Sequence, residues 1–157
     1  MKIQNPESAK NSNIRDISKL ITLTSIGYDL FLNNNYNLTD FKGLDNISEI
    51  GRDLKIQWNE NITSIEGLNG TIAINRNLDI HSNPKLRNLN ALNKLKTVKG
   101  NLNIQSNGTY QYSLGIIDFC GITNLITNNG LLGSYTVANN KGINPTKDDI
   151  KNGNCKN

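Results

Sequence analysis

The chain has 157 residues, the length of a single domain, and a net charge of +4. Only 36% of its residues are hydrophobic, which is low for a globular core but adequate for a thin solenoid, and 29 are asparagine. Lys and Arg form no basic cluster, since the densest run, Lys94, Lys96 and Lys99, lies in a turn; the sequence pI near 9.1 leaves room for attraction to an anionic glycan or cell surface. No apolar run is long enough to cross a membrane. We therefore expect no nucleic-acid partner and no membrane span in this chain.

A 24-residue repeat runs through the middle of the chain. Three apolar columns recur at this interval: Ile26, Ile50, Ile74 and Val98; Leu30, Leu54, Leu78 and Leu102; and Leu32, Ile56, Ile80 and Ile104. A fixed period of this length indicates a solenoid, whose turns bury their apolar sides by stacking on one another. The repeat indicates an architecture that presents a surface, without naming what that surface binds.

Each turn is predicted to contain one strand and one coiled return. In chain order, residues 1–13 form an N-terminal extension, and a partial first turn begins near Ile14. Residues 30–32 and their counterparts alternate apolar and polar, which is typical of a half-buried strand, and these strands should pair in parallel along the solenoid. Apolar residues then recur at every third position, which favours a 3₁₀-like or coiled path.

The repeat becomes irregular toward the C-terminus. Its fourth turn degrades at Tyr110 and Ser113, residues 121–134 form a longer excursion, and residues 135–140 form one last strand. Thr146 is predicted to be a helix N-cap with Asp149 at the third helical position, and Gly153 suits the helix end. We expect a short capping helix over residues 147–152 that covers the open end of the solenoid.

One asparagine occupies the same place in every turn. The members of this column are Asn35, Asn59, Asn83, Asn107 and, after the excursion, Asn140. A side-chain amide offers a donor and an acceptor, so inside a turn it can pair backbone groups that would otherwise be buried without partners. We predict a structural, stacked role for this column, and a loss on the order of 1–3 kcal/mol when Asn59 is replaced by Ala.

The spacing Leu-x-Ile-x-x-Asn-x-x-Leu, as in residues 54–62, resembles the receptor L domain and the leucine-rich surface proteins of bacteria. Residues 119–155 resemble the closing segment of such domains in secreted Bacteroidetes-type proteins. The four-residue step from Ile26 to Leu30 favours the L-domain version over a horseshoe with a helix on each repeat. The resemblance implies a mainly β protein, a right-handed parallel β-solenoid with a flat sheet that several members use to bind proteins or ligands. The repeat domain would span residues 14–157, with its C-terminal cap at residues 120–155.

Two cysteines, Cys120 and Cys155, lie outside the regular repeat and flank the last strand. They are either two free buried thiols or a disulfide, and the resemblance favours the disulfide because it implies an extracellular protein. Closing a loop of 35 residues would stabilise the cap by about 2–4 kcal/mol in the chain-entropy model. The first residues carry no signal-peptide apolar stretch, so the chain is either cytoplasmic or a piece whose export signal has been removed. With the resemblance, we expect an extracellular or cell-surface location.

The outward positions of the predicted sheet supply the candidate ligand-binding residues. They combine aromatic and planar polar groups, which suit a sugar ring or an interface anchor. The candidates are Tyr28, Phe31, Arg52, Lys55, Gln57, Trp58, Asp79 and His81. The alternative is that Trp58 folds over the sheet edge and Phe31 covers the N-terminal cap.

Catalysis has little support in the sequence. His81 is the only histidine, and Asp79 would lie beside it on the same face without an evident nucleophile. These two residues fall short of the three or four ligands of a metal site, and phosphate-binding or dinucleotide glycine motifs are absent. We therefore expect no cofactor, and a non-catalytic binding or adhesion module that recognises a protein or a glycan. The alternatives are a structural stalk within a larger surface protein and, less favoured, a carbohydrate-active β-helix enzyme.

Overall fold

The computed structural model of the chain describes residues 1–4, 14–108 and 115–157. Tyr110 and Ser113, where the repeat was expected to degrade, lie outside the described residues. The described part forms a β-solenoid with about three regular turns of 24 residues, as predicted.

A six-stranded parallel sheet forms one side of the solenoid. Its strands, in spatial order, are β1 (Lys2–Gln4), β3 (Leu30–Asn33), β5 (Leu54–Gln57), β7 (Leu78–His81), β9 (Leu102–Gln105) and β10 (Tyr135–Ala138). Leu30 pairs with Leu54, Leu54 with Leu78, and Leu78 with Leu102, so the register step equals the sequence repeat.

A smaller sheet, which the sequence analysis did not identify, lies before these strands in each turn. It contains β2 (Ser25–Ile26), β4 (Glu49–Ile50), β6 (Ala73–Ile74) and β8 (Thr97–Val98), all parallel. The apolar column that begins at Ile26 is therefore a second sheet. Two-residue strands have no alternation of their own, which explains why the sequence pattern did not separate them from the larger strands.

Strand β1 was also not predicted. Residues 1–13 were expected to be an extension, but Lys2 pairs with Phe31, and Ile3 pairs with Leu32 and is buried. Three residues are too few to show a period, so only the pairing reveals that this segment extends the sheet.

Short helices lie in the returns between strands. Three of the described helices are 3₁₀ helices, at Ser18–Thr22, Asn90–Leu92 and Cys120–Ile122, whereas the returns that precede β4 and β6 contain turns and no helix, so the predicted 3₁₀-like or coiled path is helical in some turns only. The helix α1 (Thr123–Thr127) follows directly within the excursion and was not predicted. The predicted capping helix is α2 (Lys147–Lys151).

The core is a stack of aliphatic layers, one from each turn. The columns starting at Leu30 and Leu32 are fully buried through all regular turns, and Phe41 and Phe119 fill the returns. The turns approach so closely that a β-carbon on Gly67 would lie 1.9 Å from the carbonyl oxygen of Phe41. At φ +104°, that backbone also favours glycine.

The predicted asparagine column forms a continuous buried ladder. The backbone N–H of each member donates to Oδ1 of the next, at 3.0–3.1 Å, through Asn35, Asn59, Asn83, Asn107 and Asn140. Each side-chain Nδ2 also donates to a carbonyl of the preceding strand, such as Asn59 to Leu32 at 2.8 Å. Asn144, four residues beyond Asn140, accepts the last backbone N–H at 2.9 Å and ends the ladder.

A second ladder, which the sequence analysis missed, flanks the strands at their amino ends. Its members are Asp29, Asp53, Asn77 and Asn101, again 24 residues apart. Here each Oδ1 accepts from the backbone N–H of the following turn at 2.9–3.1 Å, the opposite direction to the first ladder, and Asn101 accepts from Ser134. Polar side chains therefore fix the register at both ends of the strands.

The C-terminal cap is held by a capping box and a disulfide. Thr146 accepts a hydrogen bond from the Asp149 backbone, and the Asp149 carboxylate accepts from the Thr146 hydroxyl and N–H, which lowers the pKa of that carboxyl. Cys120 and Cys155 are bonded, with 5.0 Å between their Cα atoms, which confirms the predicted pairing. Tyr135 of β10 donates its hydroxyl to the Pro145 carbonyl at 2.7 Å, and its burial raises the pKa of the phenol.

Candidate functional site

The outward side of the six-stranded sheet, called the outer face below, is the candidate site. Alternate residues of each strand point away from the aliphatic core. The register aligns them in two rows, Lys2, Phe31, Lys55, Asp79, Asn103 and Thr136, and Asn33, Gln57, His81, Gln105 and Ala138. The predicted rows therefore lie on one surface, to which β1 contributes Lys2.

Phe31 lies between two lysine side chains. The Lys2 ammonium is 5.6 Å and the Lys55 ammonium 5.3 Å from the centre of the Phe31 ring. These are cation–π distances, in which the negative face of the ring attracts the charge. One interpretation of the sequence was that Phe31 covers the N-terminal end of the solenoid. It does not, because β1 adds a strand beyond Phe31.

Asp79 is held by the amides on either side. Gln57 donates Nε2 to one carboxylate oxygen at 2.9 Å, and Asn103 donates Nδ2 to the other at 3.1 Å. The side-chain oxygens of Asn33 and Asn103 are buried and have no hydrogen-bond partner within the described part of the chain. The amides of the outer face thus keep hydrogen-bonding capacity that the described residues do not use.

Trp58 lies at the carboxyl end of β5, where the chain turns away from the sheet. Its ring contacts that of His81 edge-to-face, with centroids 4.7 Å apart and planes at 88°. His81 also makes a hydrogen bond between its ring Nδ1 and the Ser82 hydroxyl, at 3.1 Å. Trp58 packs against a neighbour at the sheet edge, but 46% of it stays exposed.

The backbone of Trp58 is in the left-handed region, with φ +52°. The equivalent corners of the other strands, all with φ of 56–57°, are Asn34, Ser82, Ser106 and Asn139. Small polar residues suit this conformation, whereas a bulky residue in it is rare. The sequence signal was available, because the residue before each ladder asparagine is Asn or Ser in every turn but this one.

The structure separates two candidates from the rest. Tyr28 and Arg52 precede the strands, at the amino edge of the sheet. The length of a strand separates both from Trp58, which lies at the carboxyl edge. Tyr28 is 71% exposed, and the Arg52 side chain lies 3.6 Å from the Asp29 carboxylate. The eight predicted residues therefore divide into the row of Phe31, Lys55 and Asp79, the buried Gln57 that donates to Asp79, the Trp58–His81 pair and the pair of Tyr28 and Arg52 at the amino edge.

The contacts of Asp79 and His81 bear on the enzyme hypothesis. The Asp79 carboxylate accepts hydrogen bonds from two amides, and His81 contacts Trp58 and Ser82. The carboxylate therefore does not orient the imidazole. Among the residues that the structure describes, no three His, Cys, Asp or Glu side chains are grouped to hold a metal ion.

No helix within the described ranges is long and apolar enough to span a membrane.

In comparisons with known proteins, no protein-family model, curated protein or solved structure matches this chain. The resemblance to the receptor L domain therefore remains a prediction from the repeat pattern.

Proposed function

We propose that the protein is an extracellular, non-catalytic glycan-binding module, and that Trp58 is the platform on which a sugar ring stacks. The observation that carries this proposal is the conformation of Trp58 described above. The disulfide supports the extracellular part, because such bonds persist mainly in oxidising compartments.

Trp58 is costly where it stands. A non-glycine residue in the left-handed region costs roughly 1–2 kcal/mol, and Asn reduces that cost through its short polar side chain. Burial does not offset the cost in full, because nearly half of the residue faces solvent. Unfavourable backbone conformations are concentrated at active sites and ligand-binding sites.

The neighbours of Trp58 match the chemistry of a sugar. His81 lies beside it in the second row of the outer face, with Gln105 one strand further, whereas Gln57 is buried and donates its amide to Asp79. An aromatic surface stacks on the C–H side of a sugar ring, while amide and carboxylate groups bind its hydroxyls. The buried core of a protein interface is usually more apolar than the surface around it, whereas Phe31 and Ala138 are the only apolar members of these two rows, which favours a glycan.

The test is Trp58→Asn, which places the residue of two other corners at this position. We expect binding on a broad glycan array to be lost while the free energy of unfolding stays unchanged or rises by about 1 kcal/mol. Tyr28→Asn is the matched control, since it removes an exposed aromatic side chain from the opposite edge, and it should retain binding.

Three results would contradict the proposal. The first is glycan binding that survives Trp58→Asn. The second is a large loss of stability in that variant, which would make Trp58 a packing residue. The third is a blank array, which would favour a protein ligand or, with concentration-dependent self-association, a structural stalk.

A further inference from the structure

We propose that Lys2, Phe31 and Lys55 form an anion subsite that selects glycans carrying a carboxylate, such as uronic or sialic acids. This inference rests on the proposed function, because it assigns the class of glycan that the same face would take. The three residues are called the lysine–phenylalanine cluster below.

Among the residues that the structure describes, the two lysines have no carboxylate partner. Within the described residues, neither ammonium lies within 4.0 Å of a carboxylate. Among the described residues, Arg52, Arg76 and Lys42 form ion pairs with an Asp or Glu, and Lys2 and Lys55 share their lack of one with other surface lysines such as Lys96. Two positive charges therefore converge on one aromatic ring with no anion from these residues to neutralise them.

An acidic residue close to Lys55 makes this absence informative. Asp79 is the direct cross-strand neighbour of Lys55, a position from which opposite charges normally pair. Its carboxylate instead accepts from the Gln57 and Asn103 amides, and the Lys55 ammonium lies over Phe31. The amides thus hold the negative charge away from the lysine, which stays available to a ligand.

This arrangement also orients the ligand. The outer face is cationic at β1 and β5, on either side of Phe31, and anionic at β7, where Asp79 would repel an acidic group. A bound carboxylate would lie over the Phe31 side, and hydroxyl groups would point toward Asp79 as donors. Two ammonium groups next to the same ring raise the local positive potential above that of one, which favours a bound carboxylate.

The cluster and Trp58 are close enough for one ligand to contact both. Lys55 and Trp58 are three residues apart along β5 and its following corner, on the order of 10 Å in an extended chain. A disaccharide or longer glycan could stack one ring on Trp58 and present the carboxylate of another to the lysines. Trp58 would supply general glycan affinity, and the cluster would select for charge.

The experiment measures binding to paired acidic and neutral glycans. The array would carry uronic-acid and sialic-acid glycans beside their methyl-esterified or desialylated counterparts, and hits would be titrated by calorimetry. We expect the acidic member of a pair to bind about tenfold more tightly, with the preference shrinking as salt is raised. Lys2→Gln/Lys55→Gln should abolish this preference and leave affinity for the neutral member within about twofold.

Two further variants identify the source of the effect. Lys96→Gln removes an exposed charge that precedes β8 in the smaller sheet, and it should keep the preference. Lys2→Arg/Lys55→Arg keeps both charges and should keep most of it, which separates a charge effect from a packing change.

The possible failures are distinguishable. An acidic preference that survives Lys2→Gln/Lys55→Gln, or binding to neutral glycans without any preference, would overturn the anion subsite alone, provided Trp58→Asn still abolishes binding. Binding to no glycan would overturn both proposals. A loss of preference with Lys96→Gln would show attraction by net charge and not by the cluster.

Discussion

At the scale of single residues, the two ladders use different atoms of similar side chains. Asn59 accepts through Oδ1 from Asn35 and donates through Nδ2 to Leu32 and Asn83. Asp53, in the second ladder, contributes only acceptor oxygens, to the backbone and side chain of Asn77. This difference explains why the first column is asparagine throughout, while the second contains both Asp and Asn.

The difference predicts opposite tolerances to an Asn–Asp exchange. Asn59→Asp would place an oxygen 2.8 Å from the Leu32 carbonyl and bury a charge, so we expect it to cost more than Asn59→Ala, roughly 3–5 kcal/mol against 1–3. Asp53→Asn keeps the acceptor oxygen and loses the ion pair between the buried Asp53 carboxylate and the half-exposed Arg76 side chain, so we expect a cost of about 1 kcal/mol, less than that of Asn59→Asp.

Urea unfolding of these variants measures the costs directly. Asp53→Ala serves as the control, because it leaves the Asn77 N–H without its acceptor and should cost about 1–3 kcal/mol. Similar losses for Asn59→Asp and Asp53→Asn would show that the ladders do not differ in the way their hydrogen bonds indicate.

At the scale of elements, the C-terminal cap depends on a covalent link. The disulfide joins the start of the excursion to the residues after α2, where Phe119 donates its backbone N–H to the Cys155 carbonyl at 2.8 Å. We expect Cys120→Ser/Cys155→Ser to lower the free energy of unfolding by about 2–4 kcal/mol. Hydrogen exchange should accelerate most in α1, α2 and β10, and least in β5 and β7, because solenoid turns contact only their neighbours.

The disulfide prediction has a direct control. Adding a reductant to the native protein should reproduce the exchange pattern of the double variant, whereas the variant itself should not respond to it. An even acceleration across all strands would contradict the prediction, since it would show that the cap and the regular turns unfold as one unit.

Most of the features predicted from sequence repeat with the same residue type or the same apolar spacing. The strands of the larger sheet and the asparagine column are of this kind, and α2 has the local chemistry of Thr146 and Asp149. Strand β1 and helix α1 occur once each and are short, so neither shows a period. The second ladder was missed because Asp29, Asp53, Asn77 and Asn101 differ in residue type, although they share the acceptor oxygen.

The candidate site was predictable as a surface but not as a set of contacts. Outward residues follow from strand alternation, which placed Phe31 beside Lys55 correctly. Strand alternation does not give the direction of a side chain within the outer face. The cation–π contact of Lys55 with Phe31, in place of an ion pair with Asp79, could therefore be seen only in the structure. The left-handed backbone of Trp58 likewise belongs to the corner that follows each strand. The sequence indicates this conformation only through the Asn or Ser residues at the same place in the other turns.

At the scale of the whole molecule, the solenoid should accept an additional turn. Its regular turns make the same backbone pairings and the same two ladders, so a copy of residues 60–83 inserted after Asn83 would meet matching neighbours on both sides. The insertion preserves Trp58, β1 and the cap. We expect a folded, cooperative protein whose urea m-value rises by roughly 15%, in proportion to 24 residues added to 157.

A shorter insertion tests whether the added turn is accepted because it keeps the 24-residue register. Deleting the Ser82 equivalent from the copy leaves 23 residues, which removes the left-handed corner and displaces the ladder asparagine by one position. Because a one-residue shift reverses which side chains face the core, this variant should be strongly destabilised or aggregate. Circular dichroism and urea titration compare the two proteins. If both fold with similar stability, the turns are held by nonspecific apolar stacking, and the ladders do not define the 24-residue period.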